Sequence, residues 1–252
     1  SDRISVMRAG KMVGEVAAKD ATEASLARMM VGRDVVLKVE HARPGGHQHF
    51  CRITGLTVKN DRGIEAIKAM DLVLKTGEIV GIAAVEGNGQ SELFDALGGL
   101  RPIEAGSIEF GGTDVTAFTV EQRRDAGLAN IPEDRIATGS AGGATIAENM
   151  VATELDDRRF VRHGLLDNRA IRTHATELIA HFSVRTPGPD VAIGTLSGGN
   201  MQKVVVAREL SSKPKVLLVA HPTRGVDLGA TEFIWQRIAE ARDQGASVLL
   251  TS

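Results

Sequence analysis

The sequence predicts an α/β fold built on a mostly parallel sheet. Strand-like apolar runs alternate with helical patterns, and "KVLLVA" and "ASVLLTS" are largely apolar rather than alternating. A glycine-rich turn also joins the run "EIVGIAAV" to a helix. Strands covered on both faces by crossover helices read this way. The 252 residues, 42% apolar and 25% charged, suffice for one large domain or one domain plus a fragment. With 30 Lys and Arg against 32 Asp and Glu, the net charge of -2 offers no basic surface for nucleic acid. The single Cys51 excludes an internal disulfide framework and fits a reducing compartment. No apolar run approaches the roughly 20 residues of a membrane-spanning helix.

Taken in order, "SDRISVMRAGKMVGEV" alternates around an "AGK" turn and reads as a hairpin. "DATEASLARMMVG" reads as a helix capped by Asp20 or Thr22, turning Leu26, Met29 and Met30 inward and stopped by Gly32. Residues 1–34 are too few to bury a core alone and are expected to be the tail of a preceding domain. Residues 35–50 form a Pro/Gly/His-rich linker, and 51–252 the main domain, truncated at its C-terminal end. In that domain "CRITGLTVKN" and "IKAMDLVLKTG" are strands, and "EIVGIAAV" is a strand buried on both faces. A helix "QSELFDALGGL" and a strand "GSIEFGG" follow. "TIAENMVATEL" and "NRAIRTHATELIAHF" make a helical segment over about 145–182. "KVVVAREL" is helical, "KVLLVA" a buried strand, and "ATEFIWQRIAEARDQG" a helix with Phe233, Ile234 and Ile238 on its core face. The final strand "ASVLLTS" is expected to leave the sheet edge open beyond it, favouring self-association.

Three stretches carry chemistry. A phosphate loop needs glycines that let the backbone wrap an anion, a helix N-terminus aimed at it, and a lysine for the outer phosphates. Against GxxxxGK[ST] the chain reads Ala84-Val85-Glu86-Gly87-Asn88-Gly89-Gln90-Ser91. The last glycine and the hydroxyl position, Ser91, are kept. Ala84 replaces the first glycine, Gln90 the lysine, and Glu92 adds a negative charge nearby. A plain strand-to-helix turn explains "GNG" alone equally well. The second stretch, "TLSGGNMQKVVVAREL", opens a helix with Ser197, Gly198, Gly199 and Asn200. Ser197 reads either as an ordinary N-cap or as part of a ligand clamp. Two glycines at a helix start cost about 1 kcal/mol each relative to alanine, which suggests a backbone approached closely by a ligand. The third, "KVLLVAHPTRGVDLGA", is an apolar strand ending in "PTRGVD".

"EGNGQSEL", "IPEDR", "LSGGN" and "PTRGVD", in this order from Cys51 to Ser252, resemble the ATP-binding subunits of ABC transporters. The match is to the second nucleotide-binding domain of the tandem sugar and nucleoside importer type, with the nucleoside importers nearest. That resemblance implies a P-loop NTPase (ABC ATPase) fold: a mostly parallel core sheet, an antiparallel β subdomain and a helical subdomain. It implies ATP and Mg²⁺ as cofactors, with Glu86, Gly87, Asn88, Gly89, Gln90, Ser91, Glu92 and Glu133 around the nucleotide. Glu133 stands where a glutamine is usual. Asp227 matches the aspartate of the D-loop. Ala220 replaces the Mg²⁺-ordering aspartate, His221 the catalytic glutamate and Ser252 the switch histidine. Mg²⁺ is therefore expected to be held weakly.

The resemblance also implies head-to-tail pairing of two such domains, each nucleotide lying between one phosphate loop and the other domain's signature. The chain's own site is then expected to hydrolyse ATP poorly or not at all. Ser197, Gly198, Gly199 and Asn200 would serve ATP on a first nucleotide-binding domain of the same chain. A membrane permease and, indirectly, a solute-binding protein would be partners, at the cytoplasmic face of a prokaryotic membrane. Two alternatives stand: an active NTPase using Gln90 and His221, histidine titrating near neutrality, and a non-transport soluble ABC protein. Lesser features read as structure. His47, His49 and Cys51 alternate in "HQHFC" but have no fourth donor nearby for a metal. Asn60 lies where an adenine-stacking aromatic is common, Trp235 packs at an edge or is exposed, and "RRDAG" and "DDRRFVRHG" read as solvated basic faces.

Overall fold

The computed structural model describes residues 2–8, 10–32, 48–85, 87–162 and 164–251, with His49 described by its backbone only. Most of the linker, His47, Glu86 and Ser252 lie outside the described residues. At the N-terminal end β1 (Arg3–Arg8) and β2 (Lys11–Ala17) pair antiparallel, and α1 (Glu23–Val31) packs against β1. Thr22, not Asp20, is the N-cap: its hydroxyl accepts from Ser25 N and Ser25 Oγ accepts from Thr22 N. Gly32 ends α1 in the left-handed region at φ 87°. Ala27 is the buried residue of α1, while Met30 points outward, a correction to the inward face read from the spacing.

The main body has two sheets. In the antiparallel one β3 (His49–Lys59) lies between β4 (Glu65–Lys75) and β6 (Ala105–Phe110), with β7 (Thr113–Asp114) at the edge. Strand β3 already starts inside the stretch read as linker. The other sheet is parallel throughout, in the order β5 (Ile79–Ile82), β12 (Ser247–Thr251), β11 (Val216–Ala220), β8 (Leu128–Ile131). Two expectations are corrected here. The final strand β12 is interior, and among the described residues the outer strands of this sheet are β5 and β8. For the same reason β5 is half-buried rather than buried on both faces, and Val85 beyond it is 76% exposed.

Helix α2 (Gln90–Gly98) packs against β3 and β4 and sends Leu93, Phe94 and Leu97 into the core they share with Ile53, Leu56 and Ile108. Short α3 (Val120–Asp125) leads into β8. The segment read as helical holds α4 (Ile146–Val151) and α5 (Asn168–His181), with a small hairpin of β9 (Val161–Arg162) and β10 (Leu165–Leu166) between them. The capping box of Thr145 and Glu148 starts α4 where the pattern predicted, but α4 stops at Val151, short of "ATEL". Helices α6 (Gly198–Ser211) and α7 (Leu228–Asp243) complete the second core, where Val204, Ile234 and Ile238 meet Leu217, Val219 and Val248. Phe233 and Trp235 are half-buried at its margin. At about 25 cal/mol per Å² of apolar surface withdrawn from water, these two cores are what hold the loops between them in register.

Candidate nucleotide site and signature helix

The turn from β5 into α2 has the geometry of an anion cradle. Gly87 and Gly89 have φ of 89° and 98°, a region that favours glycine. A Cβ on Gly89 would also lie 2.8 Å from the Ala66 carbonyl oxygen, so β4 leaves no room for one. Gly89 is the N-cap of α2 and no side chain caps it, which leaves first-turn amides open to a ligand. Gln90 does not project a charge there. Its Nε2 donates to Val85 O at 2.8 Å, closing the loop upon itself. Ser91 is exposed and Glu92 half-buried in the first turn.

The far end of α2 is held by a residue the sequence reading assigned to a solvated face. Arg123 is 2% exposed and donates to Ala96 O, Leu97 O, Thr116 O and Phe118 O at 2.6–3.2 Å. It thus satisfies orphan carbonyls at the C-terminus of α2. Its neighbour Arg124 reaches Glu209, 1% exposed on α6, which also accepts from Arg208 Nε at 2.8 Å and Asn130 N at 3.1 Å. Arg123 and Arg124 are therefore a buried and half-buried anchor, whereas Asp156, Arg158, Arg159 and Arg162 are exposed.

Opposite the loop, β11 ends at Ala220, side by side with Thr251 of β12. His221 follows with φ 42°, sparsely populated for a residue with a Cβ, and donates its amide to Thr251 O at 2.9 Å. Glu133, after β8, forms an ion pair with Arg224. Asp134 accepts from the amides of Ile136 and Ala137, and those bonds hold its carboxyl below the usual range. A cleft of about 840 Å³ joins these parts: Gln90, Ser91, Glu133, Ala220, His221 and Thr251 all line it. No lysine lines it among the described residues, and Ala220 brings no carboxylate to the end of β11. The loop amides suit a phosphate chain, whereas a divalent cation would find the Ser91 hydroxyl but no strand-end acid.

The signature residues lie apart from that cleft. Ser197 is exposed, and its hydroxyl does not cap α6. It accepts instead from Asn200 Nδ2 at 3.0 Å, while Asn200 Oδ1 accepts from Arg185 N at 2.9 Å. Both glycines are also approached closely by side chains of this chain. A Cβ on Gly198 would lie 2.7 Å from Arg135 Nη2, and one on Gly199 3.0 Å from Asp227 Oδ2. Asp227 caps α7 by accepting from Ala230 N at 2.9 Å. Asn60 turns inward on its own hairpin, its Oδ1 accepting from Arg62 N and Ile64 N. Cys51 is buried, and burial pushes its thiol up to about 12, far from a ligand thiolate at neutral pH. Arg135, Arg224 and Glu209 were missed; "EDR" and "PTR" flank residues already singled out, so the signal was adjacency.

A parallel sheet with a strand–glycine loop–helix unit, an antiparallel β layer and helices between β8 and β11 defines the class as P-loop NTPase. The ABC transporter family model matches residues 67–224, and the chain belongs to that family. It is 41% identical to the glucose import ATP-binding protein TsgD13 of Haloferax volcanii, over 100% of this chain and 46% of that protein. It is 39% identical to the nucleoside import ATP-binding protein NupA of Lactococcus lactis, over 100% of this chain and 50% of that one. With the guanosine import ATP-binding protein NupO of Bacillus subtilis the identity is 40%, over 100% and 49%. The chain thus spans about half the length of the curated relatives it matches. Among solved structures, a nucleotide-free ATP-binding cassette from an ABC transporter aligns with a TM-score of 0.65 at 19% identity, covering 81% of each chain. An ATP-binding subunit of an ABC transporter aligns at 0.64 and 20% identity, covering 81% of this chain and 79% of that one.

Proposed function

We propose that this chain is the second nucleotide-binding domain of an importer for sugars or nucleosides, with a degenerate site of its own and a working signature. The relatives' names support the importer class, and their roughly doubled length leaves room for a first nucleotide-binding domain whose tail is residues 1–34. The observation that carries the division of labour is the makeup of the cleft. Gln90 is folded onto Val85, Ala220 contributes no acid, and Glu133 is engaged by Arg224. ATP would rest on the loop amides with Mg²⁺ weakly held. His221 lacks the acid that would order a metal beside it. Removal of a catalytic base costs about two to four orders of magnitude in rate.

The signature end has the opposite character. The uncapped first turn of α6, with exposed Ser197 beside it, offers donors for the terminal phosphate of ATP on the first domain. A permease and a solute-binding protein complete the assembly, at the cytoplasmic face of the membrane. No helix among the described residues is long and apolar enough to cross a membrane. Calorimetry with MgATP on this chain, paired with a phosphate-release assay, tests the reading: weak or no binding without turnover is expected. Turnover abolished by His221→Ala would instead establish the Gln90/His221 site as a catalyst.

A further inference from the structure

We propose that Arg135 is a positioning residue for the signature end of α6, tying its first turn to the loops of the chain's own cleft. The proposal rests on the reading that the signature acts on ATP across a domain interface. Arg135 belongs to the loop after β8, and the turn beyond it fixes its backbone: Ser140 Oγ donates to Arg135 O at 2.7 Å. A Cβ on Gly139 would stand 2.7 Å from Arg135 Cα, so that turn has no space for one. From this anchor the guanidinium crosses to the loop after β11. Nη1 donates to Arg224 O at 2.7 Å and Nη2 to Gly225 O at 3.4 Å. The same Nη2 lies against Gly198, in the space where a side chain would begin.

Each signature glycine is therefore backed by a group from a loop near the cleft: Gly198 by Arg135, Gly199 by the Asp227 carboxylate. The ion pair of Glu133 with Arg224 joins those two loops a second time. A guanidinium also sits at the positive end of a helix, locally repulsive unless carbonyls hold it, as Arg224 O and Gly225 O do here. Its planar fork suits that task, since two donors in fixed geometry bind two acceptors at once and an ammonium does not. A displacement of the loop after β8, where Arg135 also lines the chain's own cleft, is thus passed to the backbone at Gly198. At the first-domain site Arg135 acts through Gly198 and touches no reacting atom.

The test is a double-mutant cycle on steady-state ATP turnover by the full-length subunit, using R135A, G198A and the pair, with melting temperatures measured in parallel. R135A is expected to lower kcat roughly ten- to a hundredfold, as misplacement of a catalytic group does, with KM for MgATP and the melting temperature held. G198A, whose methyl group displaces the guanidinium, is expected to cost as much alone but less than about twofold when added to R135A. R135K should fall between wild type and R135A, and the R135K–G198A cycle replaces the first if R135A does not fold. Additive losses, or an undiminished kcat in R135A, overturn the proposal. S197R separates the two levels: if it abolishes turnover while Arg135 and Gly198 act independently, only the positioning role fails. If S197R leaves turnover intact, the signature reading itself is lost, and the proposal with it.

Discussion

The cleft between α2 and β11 and the N-terminus of α6 are built on the same scaffold yet carry opposite chemistry. At the cleft, the positions that would bear charge are filled by neutral or self-satisfied groups: Gln90 on Val85, Ala220, and Glu133 on Arg224. At α6 no side chain caps the first turn, and Arg135 and Asp227 lie against its two glycines. Backbone cradle and side-chain charge rest on different residues, so each can vary without the other. At Gly89 the bare backbone comes from packing against β4, where the Ala66 carbonyl leaves no room for a Cβ. Lysine, aspartate and glutamate are single positions that packing does not defend.

The largest expected effect comes from disturbing the buried support behind the cleft. Glu209 lies on α6 and holds Arg124 and Arg208, which line the cleft. Glu209→Ala leaves guanidiniums without their buried carboxylate and should lower unfolding free energy by about 3 kcal/mol, read by urea titration. A loss under about 1 kcal/mol would mean that water takes over the pairing, as it does for surface pairs. Gln90→Lys sharpens the comparison more gently. Restoring a cation should tighten MgATP binding about tenfold, one good charge-assisted contact. Phosphate release should stay at background because Ala220 and His221 are unchanged. Turnover in that variant would show that the lysine alone was missing.

The smallest effect belongs to His174, which lies in neither region. His174 on α5 is half-buried against Phe160, ring centroids 5.1 Å apart, and its Nε2 has no partner among the described residues. Burial holds its pKa below 6.5, against the opposing pull of Glu154. Above that value neither the folded nor the unfolded chain protonates it. As pH falls below 6.5 the unfolded chain takes the proton first, so stability declines until the lowered folded value is passed. Asp134, Glu148 and Asp157, also lowered in the fold, act only further down, below 3.8–4.5. Melting temperature should therefore drop as pH falls below 6.5, and His174→Phe should flatten that slope. An unchanged slope in the variant would assign it elsewhere.

Much of the fold was legible because local pattern and packing agree. The runs "KVLLVA" and "ASVLLTS" became the two interior strands β11 and β12, and Thr22, Gly32 and Thr145 mark helix ends as their chemistry directs. Strand order was not legible. An apolar run says that a strand is covered, not by which neighbour, so β5 was taken as fully buried and β12 as an edge. Long-range side-chain bonds escaped as well. Arg123 and Arg124 read as a surface pair because sequence spacing carries no sign of carbonyls in α2 or a carboxylate in α6. The glycine pair is conspicuous for its cost, but the guanidinium and carboxylate that lie against it come from other loops and meet it only once the chain is folded.

The measurement that bears most directly on the division between the two regions is ATP turnover by the full-length subunit carrying Ser197→Arg. If the signature end serves a first-domain site, kcat falls about a hundredfold or more while ATP binding persists, as when a transition-state donor is removed. If turnover is unchanged, α6 does not face a working nucleotide, and the account of this chain as the supporting half is wrong.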